Sequence, residues 1–503
     1  MTAQTIHQGQ WSVIRQILSQ TVFQFVGVGV LAILTCAGVS AETRSAPATA
    51  KGIFAARGAS ESRFFQRLQQ QRTRAEAYML NNVSRPECLP GCVVASPSKS
   101  NPNYFFHWTR DSALTMLTVL DLFDRSTDPR EQTQYLQILK DYVLFSRKTQ
   151  VTPGPVGGPG EVRFNVDGTA DYSSWARPQN DGPALRTIAL AKLAKILVGR
   201  GESDFVRIHM YAPQMPAYTV MKTDLEYISH RWQEPSYDAW EELHGQHFFH
   251  RLMQRRALLD GAQIAELMED LGAAGFYRFQ AAAIEPEINQ HYNENKGYIV
   301  ATLFPSGGIQ YKSLHLDSVV ILGALAADRG DGFYSMTDAR LQATALELIK
   351  VFRAMYPINQ NSEGIAIGRY PEDRYDGIHS DGFGNPWFLI TQGFSEYFYR
   401  MAKKYQTDGR IEINLVNLKF FEWLGLTQAS PRTIEETSPE FAEMLQKIVA
   451  KGDAFMAKTL RHMNQTDGSM SEQFSRETGV MQGANDLTWS YASFLGAYLH
   501  RPE

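Results

Sequence analysis

Three cysteines in 503 residues leave little room for sulfur chemistry to organise this chain. Cys36 falls in a segment expected to be removed, while Cys88 and Cys92 flank the turn Leu89-Pro90-Gly91. That turn makes the pair a disulfide candidate in an oxidising compartment. A zinc ribbon needs a different spacing and a second Cys/His pair, which is missing. Charge of one sign is scarce too. The net charge is −4 and no Lys/Arg-rich run occurs, so a nucleic-acid partner has no electrostatic footprint here. The histidines show no His-Glu-x-x-His spacing, and neither a catalytic metal nor a cofactor is expected. No Gly-x-Ser-x-Gly follows a strand pattern, which removes a serine nucleophile elbow. The glycine-rich stretch 153–160 lacks a following Gly-Lys-Ser/Thr and reads as a surface loop, not a phosphate cradle. Strand-like alternation is rare, and no solenoid repeat is found.

What is present is the composition of a soluble globular protein, 44% apolar and 20% charged. Residues 1–21 are polar, with Arg15 the sole charge, and an apolar run occupies 22–39. Val39-Ser40-Ala41 fits a signal-peptidase site, predicting cleavage after Ala41 and a secreted or periplasmic protein without stable membrane association. An uncleaved anchor is the rival, but the core of the run is short for a span. Residues 42–59, rich in Ala, Thr, Gly and Ser, read as a flexible lead-in, and 60–503 as one domain. Helical periodicity then recurs over 63–79, 111–123, 131–145, 182–198, 216–231, 246–271, 275–284, 313–326, 337–355, 388–405, 439–460 and 486–499. About a dozen helices with short Gly/Pro-rich joints predict an all-α fold of paired hairpins closing into a double ring. Its loops would gather at one mouth.

The unusual residues fall in those joints. Tyr104-Phe105-Phe106-His107-Trp108-Thr109-Arg110-Asp111-Ser112 sets a donor fork beside a carboxylate, suited either to a ring of hydroxyls or to a helix cap. Trp175 opens a second joint as a pocket wall, and Asp181 there is read as the cap of the next helix. In Tyr237-Asp238-Ala239-Trp240-Glu241-Glu242-Leu243-His244-Gly245 two adjacent glutamates follow a tryptophan. Mutual repulsion in an aromatic hollow would favour a protonated carboxyl, the state a general acid needs. Its partner is sought in Gly468-Ser469-Met470-Ser471-Glu472-Gln473-Phe474. Arg369 fits either a substrate clamp or a surface pair with Glu372 or Asp373, and Trp489 either core packing or pocket lining.

Together these motifs resemble the glucoamylases of glycoside hydrolase family 15. The matching stretches are 104–112, 164–167, 175–186, 237–245, 256–261, 368–373, 384–388, 467–473 and 486–492, in the family's order. The resemblance implies an (α/α)6 barrel and inverting, exo-acting hydrolysis of α-1,4-glucosidic bonds from non-reducing ends. It implies Glu241 as general acid and Glu472 as general base. It places Arg110 and Asp111 on the terminal glucose, and Arg369 on sugar near the cleavage point. Trp240 and Glu242 would support the neighbouring sugar, with Tyr104, Trp108, Trp175 and Trp489 lining the pocket. A monomer acting on starch, dextrins or maltooligosaccharides follows. The sequence departs from the family at His107, Ala239, the longer loop 375–383 and the loosely matching region 262–336. No starch-binding module is appended. Trehalose or α-1,6-glucans are the rival substrates within the family; a non-catalytic glucan-binding or regulatory protein is the rival outside it.

Overall fold

The computed structural model describes residues 59–427 and 430–502. The expected leader 1–41, its cleavage point, Cys36 and nearly all of the lead-in 42–59 lie outside the described residues.

Twelve helices of nine residues or more run through the described residues. They are α1 (Ala59–Asn81), α2 (Thr109–Arg125), α3 (Pro129–Val151), α4 (Gly182–Gly199), α5 (Val220–Arg231) and α6 (Phe248–Leu267). The series continues with α7 (Leu271–Asn289), α8 (Val319–Ala327), α9 (Ala339–Met355), α10 (Phe388–Asp408), α11 (Pro439–His462) and α12 (Thr488–His500).

The even-numbered helices close into an inner ring: α2 packs on α4, then α6, α8, α10 and α12 follow, and α12 returns to α2. Each carries an odd-numbered partner outside, α3 on α2, α5 on α4, α7 on α6, α9 on α8, α11 on α10 and α1 on α12. This is an (α/α)6 barrel. Sequence dictates the layer each helix joins. From Val319 to Leu325, α8 is an unbroken buried run, as a helix surrounded by neighbours must be. By contrast, α11 buries Phe441, Met444, Leu445, Ile448, Val449, Gly452, Phe455 and Met456, a stripe at helical spacing with a solvated back. Gly452 lets α11 approach α10 closely; a Cβ there would lie 2.5 Å from the Tyr399 ring.

Several expected helices start late, 216–231 at Val220 among them, and in two the reason is visible. The 246–271 pattern begins only at Phe248, because Leu243–His247 is a strand paired with Ser236–Tyr237 and Thr302–Gly308. The 313–326 pattern begins at Val319, and its first residues instead hold a buried ion network. Elsewhere the helices overlap their expected spans.

The expected Cys88–Cys92 bridge is not formed. The turn does bring the two residues together, but they are free thiols. The Asn82-Val83-Ser84 sequon is closed to a glycan, since Asn82 is buried and its amide donates to Asp486 O and Thr488 Oγ1, both at 2.9 Å. Among the described residues, no helix is long and apolar enough to cross a membrane.

All six inner helices begin at the same end of the ring. Every joint singled out in the sequence enters one of these N-termini, so the unusual residues share one mouth.

Candidate active site

At that mouth lies a cavity of about 540 Å³. Its walls include Tyr104, Trp108, Arg110, Asp111, Trp175, Trp240, Glu241, Glu242, Arg369, Glu472 and Trp489. The structure therefore gathers every pocket residue singled out in the sequence, from stretches hundreds of residues apart. The volume is that of a small-ligand pocket.

The turn before α6 builds the centre. Asp238 accepts from the Glu242 N–H at 2.8 Å and the Leu243 N–H at 3.1 Å, folding the chain back on itself. Within this turn Glu241 adopts φ of +67°, a left-handed backbone that a side chain makes unfavourable. The two glutamates consequently diverge. Glu241 Oε1 accepts from Trp108 Nε1 at 2.8 Å, Gln179 Nε2 at 3.1 Å and Arg110 Nη2 at 3.3 Å. Its Oε2 accepts from Trp175 Nε1 at 2.8 Å. Glu242 turns the other way, taking Arg369 Nη2 at 2.8 Å and the Tyr370 hydroxyl at 2.5 Å.

Arg369 is thus not a surface ion pair. It is buried, clamped between Glu242 and Asp373, whose Oδ2 accepts from Arg369 Nε at 2.8 Å. Trp240 is held from behind: its Nε1 donates to both oxygens of Asp317 at 3.0 Å, and Lys312 Nζ pairs with Asp317 at 2.6 Å and Asp238 at 3.2 Å. Asp181 does not cap α4. Its side chain makes no capping hydrogen bond and instead pairs with Arg110 Nη1 at 3.0 Å. Trp489 serves packing and lining at once, with 9% exposure, on the wall between this cavity and a smaller one inside the helix ring.

Glu472 arrives from the loop before α12, opposite the tyrosines. Tyr104 and Tyr375 share a hydrogen bond between their hydroxyls at 2.9 Å, and Tyr375 donates to Gly377 O at 2.9 Å. Burial pushes the Glu472 carboxyl up to about 8, offset in part by those two hydroxyls and Arg369. Burial likewise lifts Asp111 to about 6 despite Arg110 beside it.

The two carboxyls sit in unlike surroundings. Repulsion between adjacent carboxylates does not operate, because Glu242 is drawn off by Arg369 and Tyr370. Glu241 accepts four N–H donors, while burial raises the Glu472 carboxyl.

Sequence reasoning missed several contributors. Gln179 bonds Glu241, Tyr370 bonds Glu242, and Lys312 and Asp317 brace Trp240. Gly483 is the least visible of them. It sits at φ of +73°, and a Cβ there would lie 2.4 Å from Glu472 Oε2. Gly483→Ala is expected to displace the Glu472 carboxyl and lower kcat on maltooligosaccharides about 100-fold, the scale of a misplacement near 1 Å. It should also cost about 1 kcal/mol of stability, from the left-handed backbone. Steady-state kinetics beside a thermal melt check both, and unchanged kcat would detach Gly483 from the site.

Among the described residues no His, Cys, Asp or Glu trio is gathered as metal ligands. The chemistry on offer is that of two carboxyls, with cations, indoles and hydroxyls around them.

A family model described as Glycosyl hydrolases family 15 matches residues 73–499. The chain belongs to that family. A glucoamylase of Blastobotrys adeninivorans is 34% identical over 442 residues, covering 85% of this chain and 70% of the relative. A probable glucoamylase of Schizosaccharomyces pombe is 34% identical, covering 86% of this chain and 90% of the relative. The solved glucoamylase of Saccharomycopsis fibuligera is 32% identical, with a TM-score of 0.77 over 87% of this chain and 95% of that one. For this family 15 member the barrel and the order of its joints are thus shared well beyond the pocket.

Proposed function

We propose that the protein is an inverting, exo-acting glucan 1,4-α-glucosidase. It would remove β-glucose from the non-reducing ends of starch, dextrins and maltooligosaccharides, cleaving α-1,6 bonds more slowly. The observation that carries this reading is the cavity into which Glu241 and Glu472 both project, with the Arg110–Asp111 pair and five tryptophans around them. Indole faces suit the apolar faces of sugar rings, and the charged pair suits their hydroxyls.

Glu241 would protonate the leaving glycosidic oxygen while Glu472 takes a proton from water on the opposite face of the ring. The two carboxyls must then hold one proton between them. A water donating to Glu472 adds a hydrogen bond that favours its ionised form. A glycosidic oxygen at Glu241 supplies the acceptor for a protonated carboxyl there. Substrate and water thereby favour the protonated form at Glu241 and the ionised form at Glu472. Arg369 and Glu242 would act on the neighbouring sugar as a preformed pair.

Outside the chemistry, we propose export through the leader 1–41 and action as a monomer. Amino-terminal sequencing of the mature protein and its mass in solution check these. The activity itself is tested by glucose release from maltose, maltoheptaose, isomaltose and trehalose. Fastest turnover on the longer α-1,4 chain is expected. Preference for trehalose or isomaltose would move the specificity within the family, and binding without hydrolysis would overturn the reading.

A further inference from the structure

His250, in the first turn of α6, is 3% exposed and outside the pocket wall. Its Nδ1 lies 3.0 Å from the Ser236 hydroxyl, and its Nε2 lies 3.7 Å from Asp181 Oδ1. Both that Nε2 and that Oδ1 are buried without a hydrogen-bond partner. The two orphans face each other. Asp181 Oδ2, meanwhile, takes Arg110 Nη1 at 3.0 Å, and Arg110 Nη2 reaches Glu241 Oε1 at 3.3 Å. A line of polar groups thus runs from Ser236 through His250, Asp181 and Arg110 to Glu241, its longest step the 3.7 Å between His250 and Asp181.

The chemistry of this line fixes the tautomer. Burial holds the imidazole of His250 below its ordinary value, so one ring nitrogen is an acceptor. Burial opposes the ionised form of Asp181, but Arg110 and His250 beside it together with a backbone hydrogen bond keep the carboxyl below its ordinary value. A lone pair on Nε2 would then confront an anion. Electrostatics require Nε2–H toward Asp181, with the Ser236 hydroxyl donating to Nδ1.

We propose that His250 is a positioning residue for the proton donor: it satisfies the free oxygen of Asp181 and thereby leaves Arg110 extended onto Glu241. Without it, Asp181 has an uncompensated buried oxygen, and the guanidinium is drawn back toward Asp181 and away from Glu241. This inference rests on Glu241 being the general acid.

The test compares maltose with α-glucosyl fluoride, whose leaving group departs without protonation. A defect in glucose binding lowers turnover of both; a defect in the acid lowers that of maltose alone. His250→Leu is expected to lower kcat on maltose about tenfold or more, within the range of general-acid contributions. Because Arg110 would also face the terminal glucose, fluoride turnover should fall too, but by at least about threefold less than that of maltose, a split that a simple packing defect would not produce. His250→Gln, which keeps one donor and one acceptor, should restore most of the maltose rate. Equal losses on both substrates, or an unchanged maltose rate, would overturn the proposal. Should the leucine variant not fold, nitrogen-15 NMR of the wild-type histidines decides: Nε2–H at His250 supports the proposal, Nδ1–H ends it. Glu241→Gln is run alongside. If it fails to split the two substrates, the general-acid reading has failed; if it splits them and His250→Leu does not, only the role of His250 has.

Discussion

Glu472→Gln is expected to lower turnover by about 10³-fold or more on maltooligosaccharides and α-glucosyl fluoride alike, near the upper range for loss of a general base. The amide fills the same space but cannot take a proton from water, and attack by water is needed whichever group leaves. The same substitution should stabilise the protein. Burial raises the Glu472 carboxyl to about 8, far above the value of about 4.3 in an unfolded chain. A raised carboxyl favours folding fully below the unfolded value and loses that contribution as pH climbs toward the folded one. At pH 7 the loss is on the order of 2–4 kcal/mol, and a neutral amide escapes it. The gain over wild type should vanish near pH 4 and grow toward pH 8. Urea denaturation at the two ends of that window measures it; a variant destabilised throughout would show that Glu472 is not strained by burial.

Glu241→Gln should behave differently. Its kcat on maltose is expected to fall by about 10²–10⁴-fold, the worth of a general acid, with much less effect on glucosyl fluoride. Here stability should decline. Glu241 is the acceptor for two indoles, Gln179 and Arg110, and an amide leaves the guanidinium without its anion. Opposite signs of the stability change in two Glu→Gln variants would be a direct readout of the two environments. Equal losses on both substrates would remove Glu241 from the acid role.

The ring of helices was legible from about a dozen helical patterns with short Gly/Pro-rich joints; which helices lie inside was not, and shows in the contrast between α8, apolar throughout, and α11, with one stripe. The pocket residues were legible as joints whose chemistry exceeds what a turn requires. What escaped depends on partners distant in the chain. Asp181 sits where a cap belongs, yet its side chain belongs to Arg110, 71 residues earlier. Leu243–His247 is too short to be told from the start of the helix that follows it. Gly483 has no local signature, since its requirement arises from a carboxyl 11 positions away. The separation of the two adjacent glutamates was the hardest to read. Adjacent glutamates suggested repulsion, but a left-handed residue at Glu241 separates them, and burial acts instead on Glu472.

Two carboxyls acting from opposite faces of one sugar must invert the reacting carbon in a single displacement. Proton NMR of maltoheptaose hydrolysis, followed before mutarotation sets in, reads this directly. The β-anomeric signal of free glucose should appear first, with the α-anomer growing only at the rate of spontaneous mutarotation. Initial release of the α-anomer would mean a covalent or otherwise retaining route, and would contradict the assignment of Glu241 and Glu472 as acid and base.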